Sequence, residues 1–119
     1  MSKILIATLE ERVSESGTRR LSGRLGQIRM TAFLDPDAPN GFLWWKLYLE
    51  AGVNRTTHRI LLSKLRERTA ITGSPYLVGR LGTAILLGYR QEGIAGGSNI
   101  WRLYVTVDRN VPAVAVASS

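Results

Sequence analysis

The sequence repeats itself after 56 residues, and no gap is needed to align the two copies. Gly-Arg-Leu-Gly at 23–26 returns at 79–82, and Trp-Lys-Leu-Tyr at 45–48 returns as Trp-Arg-Leu-Tyr at 101–104. Sixteen of the 51 aligned pairs are identical, where chance gives about three or four. The sequence therefore predicts a tandem duplication.

Two copies are too few for a solenoid, in which each repeat packs on neighbours and the ends need caps. The 119 residues are instead enough for one domain with a single core to which both copies contribute. The predicted organisation is one domain, with repeat 1 at 2–54, repeat 2 at 58–110 and a C-terminal tail at 111–119.

Hydrophobic residues recur with period two inside each copy, which is typical of strands. Leu21, Gly23 and Leu25 alternate with polar neighbours and share one face of a strand. The alternation slips at Gly26 and again at Gly82, where we expect a bulge. Segments 35–41 and 91–98 are rich in Pro, Gly, Asp and Asn, so they are predicted hairpin loops. In the strands that follow, Trp45 and Leu47, or Trp101 and Leu103, are the expected core residues.

The sequence leaves the secondary structure of the opening segments, 4–13 and 60–69, open. Each fits a strand, and each also fits a short helix with Ser2 or Thr57 as its N-cap. We favour strands, which gives three per copy. The fold class is then mainly β: a pseudo-twofold domain of two three-stranded units curled into a small barrel-like, OB-like sheet. The alternative is an α+β fold with one short helix per repeat.

The chain is strongly basic, and arginine dominates its charge. Sixteen Lys and Arg against nine Asp and Glu give a net charge of +7, with a pI near 10.6, and thirteen of the cations are arginine. A guanidinium binds phosphate through two parallel hydrogen bonds and stacks on aromatic rings. Polyanions are therefore the leading class of partner, although a basic charge can also serve solubility alone.

Aromatic and cationic residues alternate on the face of the last strand that points away from the predicted core. Trp44, Lys46 and Tyr48 do so in the first copy, as do Arg102 and Tyr104 in the second. Rings stack on bases while cations follow phosphates, so this pattern is typical of single-stranded nucleic-acid binding. The alternative is that the rings form a second buried face.

Basic positions recur at the same places in both copies, so we expect two symmetric strips that converge on one polyanion site. In general character the basic, glycine-punctuated strand pattern resembles small OB-fold-like single-strand binders, without a motif specific to them. The predicted nucleic-acid-binding residues are Arg12, Arg20, Arg24, Trp44, Lys46, Tyr48, Lys64, Arg66, Arg68, Arg80, Arg102 and Tyr104.

Residues for catalysis or metal binding are scarce. The chain has no cysteine and one histidine, His58, so thiolate chemistry and sites with two imidazoles are excluded. Glu11 and Glu67 recur in both copies and can be considered as Mg²⁺ ligands. Because an arginine follows each of them, we expect ion pairs instead. The sequence predicts no enzyme activity, no metal and no cofactor.

Neither a signal peptide nor a membrane span is predicted, because the apolar stretch at 4–9 is too short for either. We therefore expect a cytoplasmic protein with no membrane partner. The predicted function is sequence-tolerant binding of single-stranded DNA or RNA. The alternative is a small phage- or plasmid-type protein-interaction module, which inhibits a nucleic-acid-handling complex or assembles as a homo-oligomer.

Overall fold

The computed structural model describes residues 3–36, 43–53, 56–91 and 99–107, and every regular element in these ranges is a β-strand. Each strand pairs antiparallel with the next, and the last pairs with the first to close a barrel. The strands are β1 (Ile4–Val13), β2 (Arg19–Leu25), β3 (Ile28–Leu34), β4 (Leu43–Val53), β5 (Thr56–Thr69), β6 (Pro75–Leu81), β7 (Ala84–Arg90) and β8 (Ile100–Val107).

The mainly β, barrel-like fold class is thus confirmed, and the opening segments of both copies are strands rather than helices. The strands follow one another around the barrel in chain order, whereas an OB fold is a five-stranded Greek key. No helix in the described ranges is long and apolar enough to cross a membrane. The predicted tail, 111–119, and most of the two predicted loops, at 37–41 and 92–98, lie outside the described residues.

The predicted count of three strands per copy is wrong, because the phase slip at Gly26 is a turn and not a bulge. Leu25 pairs with Ile28 across a two-residue hairpin turn, and Gly26 has φ of +62°. Gly82, with φ of +61°, makes the same turn between β6 and β7. Side chains disfavour this left-handed region, so glycine suits both turns. Each copy therefore supplies four strands, and the barrel has eight instead of six.

The first glycine of each Gly-Arg-Leu-Gly tetrapeptide allows neighbouring strands to approach closely. A Cβ on Gly23 would overlap the carbonyl oxygen of Thr8, and a Cβ on Gly79 would overlap that of Lys64. Only glycine therefore fits without a backbone shift. Close approaches of this kind accompany the bending that a strand needs in a small closed barrel.

One hydrophobic core fills the barrel, and both copies contribute matching residues to it. Trp45 and Trp101 are fully buried, as are Leu47 and Leu103, which confirms the predicted inward face of β4 and β8. The other members are Ala7, Leu9, Leu21, Met30, Ala32, Leu65, Leu77 and Leu86. Among the described residues, β1 to β4 correspond in order to β5 to β8 at the 56-residue offset. The duplication as an event in the history of the chain stays a prediction.

Candidate nucleic-acid interface

The repeated glutamates point into one end of the barrel, where they meet the two buried tryptophans. Trp101 Nε1 donates to Glu11 Oε1 at 2.8 Å, and Trp45 Nε1 donates to Glu67 Oε1 at 2.9 Å. Arg19 bridges the two carboxylates: its Nε donates to Glu11 Oε2 at 2.9 Å, and its Nη1 lies 3.2 Å from Glu67 Oε1. Ion pairing was expected, but the partner is Arg19 rather than the arginine that follows each glutamate.

The contacts in this network favour the charged forms of Glu11 and Arg19. Burial favours the neutral form of Glu11 and works to raise its pKa. The hydrogen bonds from Arg19 and Trp101, together with the charges of Arg19 and Arg90, outweigh burial and hold that pKa below its ordinary value. Burial likewise works to lower the pKa of Arg19, but both glutamates raise it above its ordinary value. Glu11 therefore accepts the hydrogen bonds of Trp101 and Arg19 as a carboxylate.

A groove of about 410 Å³ lies on the outer surface of β2 and β3, and five arginines line it. Glu50 is the single carboxylate among the described residues around it. Within the described ranges no ion pair links Arg20, Arg24 or Arg29 to a carboxylate. We call this feature the arginine groove; its cations are Arg12, Arg20, Arg24, Arg29 and Arg59.

An aromatic ring forms part of the wall of the arginine groove. The Arg59 guanidinium lies 5.0 Å from the centroid of the Phe33 ring, and the Tyr48 ring lies 6.1 Å from the same ring. Glu50 accepts a hydrogen bond from the Thr31 hydroxyl and lies 3.7 Å from Arg59 Nε. The groove thus combines several phosphate-binding groups with one half-buried ring.

Cations continue from the groove across the barrel surface in a single row. Arg12 pairs with Arg20, Arg20 with Phe33, Phe33 with Lys46, and Lys46 with Lys64, each directly across from the next. With strands about 4.8 Å apart, the row across five strands is about 19 Å long. We call these five residues the cationic row. Within the described residues, two of its cations have carboxylate partners: Glu10 for Arg12 at 3.0 Å and Asp35 for Lys46 at 3.9 Å.

The row ends at a second depression, of about 450 Å³, between β4, β5 and β6. Trp44 forms one wall and lies directly across from Arg66. Lys64, the last member of the cationic row, also lines this depression. We call it the tryptophan cleft; its side-chain walls are Trp44, Lys64, Arg66, Val78, Arg80 and Ile85.

The opposite side of the barrel carries tyrosines where the first half carries arginines. The rings of Tyr76 and Tyr89 stack with centroids 6.5 Å apart, and Tyr104 lies 6.0 Å from Tyr89. Lys3 Nζ lies 4.7 Å from the Tyr89 centroid. We call this surface the tyrosine face; it consists of Tyr76, Val78, Leu87, Tyr89 and Tyr104, and it meets the tryptophan cleft at Val78.

The structure divides the predicted site residues between these two sides. Trp44, Tyr48 and Tyr104 are half-buried on the outer surface and not sealed in the core. Because β4 and β8 are separated by three strands in either direction around the barrel, their two strips face opposite ways. The prediction that they converge on one site is therefore wrong. Tyr48 adjoins Phe33, and three predicted residues lie on the side of the tyrosine face: Arg68, Arg102 and Tyr104. The remaining predicted residues lie in the row, the groove or the cleft: Arg12, Arg20, Arg24, Trp44, Lys46, Lys64, Arg66 and Arg80.

Sequence reasoning missed Phe33, Arg29 and Arg59, which complete the arginine groove. The first two lie on β3, which was interpreted as a continuation of β2, so their outward direction could not be assigned. Placing the turn at Gly26 puts both of them on the same face as Arg20 and Arg24. Arg59 reaches the groove from the second copy through the β4–β5 pairing.

Among the described residues, no group of three or more His, Asp or Glu side chains is arranged to hold a metal ion. Comparison of the chain with protein-family models, with curated proteins and with solved structures finds no match. What the surface can do must therefore be argued from its own chemistry.

Proposed function

We propose that this protein binds single-stranded nucleic acid, with little dependence on base sequence, along the cationic row. The observation that carries the proposal is the unbroken cross-strand order of Arg12, Arg20, Phe33, Lys46 and Lys64. Cations in a line match the regular spacing of phosphates, and arginine in particular can hold a phosphate through two hydrogen bonds. The ligand class is a polyanion with exposed bases.

The aromatic residues support a single strand rather than a duplex. Phe33 lies within the row, and Trp44 lies at its end in the tryptophan cleft. Rings bind bases by stacking, which requires bases that are not already stacked and paired in a double helix. Stacking is also tolerant of sequence because every base has a π-face.

The outer surface of the first copy is the better site for a polyanion, because apolar side chains do not cover its cations. Arg20, Arg24 and Arg29 are exposed, and five arginines share one groove. At the matching positions of the second half, Tyr76 replaces Arg20 and Ile85 replaces Arg29. The second half therefore keeps rings but presents fewer positive charges at these positions.

The test is fluorescence anisotropy with labelled oligo(dT) and oligo(U) of equal length at about 50 and 200 mM salt. If the four cations of the row each release about 0.7 counterions from a single strand, log affinity falls against log salt with a slope near −3. The variant Arg20→Ala/Lys46→Ala should bind at least about tenfold more weakly. Its slope should be shallower by about 1.4.

The control is Arg68→Ala/Arg102→Ala, which removes an equal number of charges from positions outside the cationic row, next to Tyr76 and Tyr89 of the tyrosine face. It should change affinity by less than about threefold, because distant exposed charges are screened by salt. Equal losses in both variants would mean that net charge, and not the row, carries the binding. Absence of binding by the unmodified protein would overturn the proposal outright.

The tyrosine face favours a second candidate function, interaction with protein. Tyrosine is enriched and charge is depleted at the centres of protein interfaces, and Val78, Leu87 and Tyr104 are half-buried on this outer surface. Homo-oligomerisation is the form of this candidate that the chain alone can test. Sedimentation velocity should then show association that depends on concentration and is lost in Tyr89→Ser. Association without oligonucleotide binding would put this candidate first.

A further inference from the structure

The tryptophan cleft differs in chemistry from the row that leads to it. Its apolar side chains are the indole of Trp44 and the aliphatic groups of Val78 and Ile85. Its cations are Lys64, which is exposed and shared with the row, Arg80, which is exposed, and Arg66, which is half-buried. The cleft is thus an apolar slot next to a line of phosphate-binding groups.

We propose that the tryptophan cleft receives one nucleobase of the bound strand and prefers guanine, thymine or uracil to adenine. This inference rests on the proposed function and adds a selective position to a site that otherwise tolerates any sequence. The base stacks on Trp44, and its sugar-phosphate backbone stays on the cationic row through Lys64.

The size and the walls of the cleft suit an aromatic ligand. Its volume of about 450 Å³ lies within the range of sites for small organic molecules. Indole is a strong stacking partner for a base, and each stacked base contributes about 1–3 kcal/mol to binding of single strands. Val78 and Ile85 offer the apolar contact that the second surface of a base ring, or the methyl group of thymine, requires.

The preference among bases follows from the hydrogen-bonding groups around the cleft. Lysine and arginine side chains only donate, and the described lining residues include no carboxylate. The buried Ser63 hydroxyl is held by its hydrogen bond to the Arg80 carbonyl oxygen at 2.6 Å, so the cationic side chains supply the polar groups that a base can reach. Guanine presents O6 and N7 as acceptors and thymine presents O4, whereas adenine keeps the N7 acceptor but carries an amino donor in place of the carbonyl oxygen. A rim of donors therefore favours the carbonyl-bearing bases.

The chain provides its own fluorescent reporter for this cleft. Trp45 and Trp101 have no exposed surface, and their indole N–H groups donate to the half-buried Glu67 and the buried Glu11. Trp44 is the one tryptophan with partial exposure, and it lines the cleft. Quenching of tryptophan emission by a bound base therefore reports occupation of the cleft and not binding elsewhere on the row.

The experiment uses an oligo(dA) host and the same host carrying one central guanine or thymine. Anisotropy should show at least about fivefold tighter binding for the guanine or thymine oligonucleotide, the lower end of the discrimination that such base contacts give. Emission should be quenched by these two and much less by the host. Trp44→Leu should abolish both the gain and the quenching, and the loss of stacking should also weaken binding of the host.

Two further variants keep the test decisive. Ile85→Phe narrows the cleft without removing the reporter, and it should reduce the gain from guanine or thymine. Tyr104→Leu, on the opposite side, should leave the gain intact, and thermal melting checks that each variant is folded.

Salt-dependent binding with no difference among the three oligonucleotides, or a gain that survives Trp44→Leu, would overturn the cleft assignment and leave the proposed function standing. Failure of every oligonucleotide to bind would overturn the proposed function itself.

Discussion

The β2–β3 and β6–β7 hairpins have the same interior and different exteriors. Their inward positions match closely, with Leu21 corresponding to Leu77 and Gly23 to Gly79. Both hairpins turn at a glycine with nearly the same φ. The inward residues are constrained because each must pack in one small core and each glycine must clear the neighbouring strand.

The outward positions of the same two hairpins have diverged in chemistry. Ser22 and Thr31 correspond to Val78 and Leu87, and Arg29 corresponds to Ile85. One side of the barrel therefore carries the arginine groove, and the other carries the tyrosine face. Closure of the barrel therefore dictates the inner residues, whereas binding chemistry can differ on each outer surface without a change of fold.

The largest effect on stability should come from substitution of Arg19. Its counterpart in the second copy is Pro75, so the two halves are least alike at this position of the barrel end. One guanidinium serves both repeated glutamates, so Arg19→Met leaves two carboxylates without their cation. Loss of one partner of a buried pair costs about 3–5 kcal/mol, and since the Arg19 side chain is 24% exposed we expect about 3 kcal/mol. Urea denaturation measures this change; a loss below about 1 kcal/mol would mean that the tryptophans alone hold the carboxylates.

The next effect tests whether the interiors are equivalent. Gly23→Ala and Gly79→Ala each place a Cβ against a backbone carbonyl oxygen of the neighbouring strand, and overpacking of this kind costs about 2–3 kcal/mol. The two losses in unfolding free energy should agree within about 1 kcal/mol, since the contacts are alike. Gly26→Ala is the control, because nothing lies within 4 Å of its Cβ and only backbone strain of about 1 kcal/mol is expected. Tolerance of alanine at one site alone would refute the equivalence.

Acid should weaken the barrel end through Glu11. The pKa of this carboxyl is lowered in the folded protein from an ordinary value of 4.5, so the unfolded chain binds the proton first as the pH falls. The stability that Glu11 contributes is complete above that ordinary value and is lost as the pH falls through the lower folded pKa. Glu11→Gln should therefore show a smaller drop in unfolding free energy between about pH 7 and pH 3 than the unmodified chain. An identical drop would assign the acid sensitivity to other carboxyls.

The sequence predicted the inner half of this molecule better than the outer half. Strict alternation placed Trp45 and Leu47 in the core, and the 56-residue repeat transferred that assignment to Trp101 and Leu103. The network at the barrel end was only partly foreseen. Ion pairs were expected for both glutamates, but nothing in the spacing of Arg19 shows that the strand order brings it between them.

The outer surface could not be assembled from the sequence because it depends on the strand count and the pairing register. Because the turn at Gly26 was interpreted as a bulge, β3 was not predicted as a separate strand. The outward direction of Phe33 and Arg29 was therefore not predicted either. The repeat also suggested that equivalent strips would lie together, whereas closure of eight strands puts β4 and β8 on opposite sides. Residues at equivalent positions of the two copies are expected to have equivalent environments. Their equivalence does not predict that they lie close to each other.

A smaller effect compares the rings at matching positions, Phe33 in the cationic row and Tyr89 in the tyrosine face. Phe33→Leu removes a ring but keeps an apolar side chain, and it should weaken oligo(dT) binding by about fivefold, near the lower end of the stacking range. Tyr89→Leu should change the affinity by less than about twofold. Anisotropy at low salt measures both. A larger loss for Tyr89→Leu would move the binding surface to the second half.

The smallest effect exchanges an outer residue of the second half for its counterpart in the first, Leu87→Thr. Leu87 is half-buried on the outside of the barrel, and threonine suits a strand as well as leucine does. The variant therefore loses only part of one apolar contact, and we expect a fall in unfolding free energy of under about 1 kcal/mol. Urea denaturation measures the change, and Leu86→Thr, one position away but fully buried, should cost several times more. If the two variants cost the same, the tyrosine face is a second packed core and its divergence from the arginine groove reflects stability rather than binding.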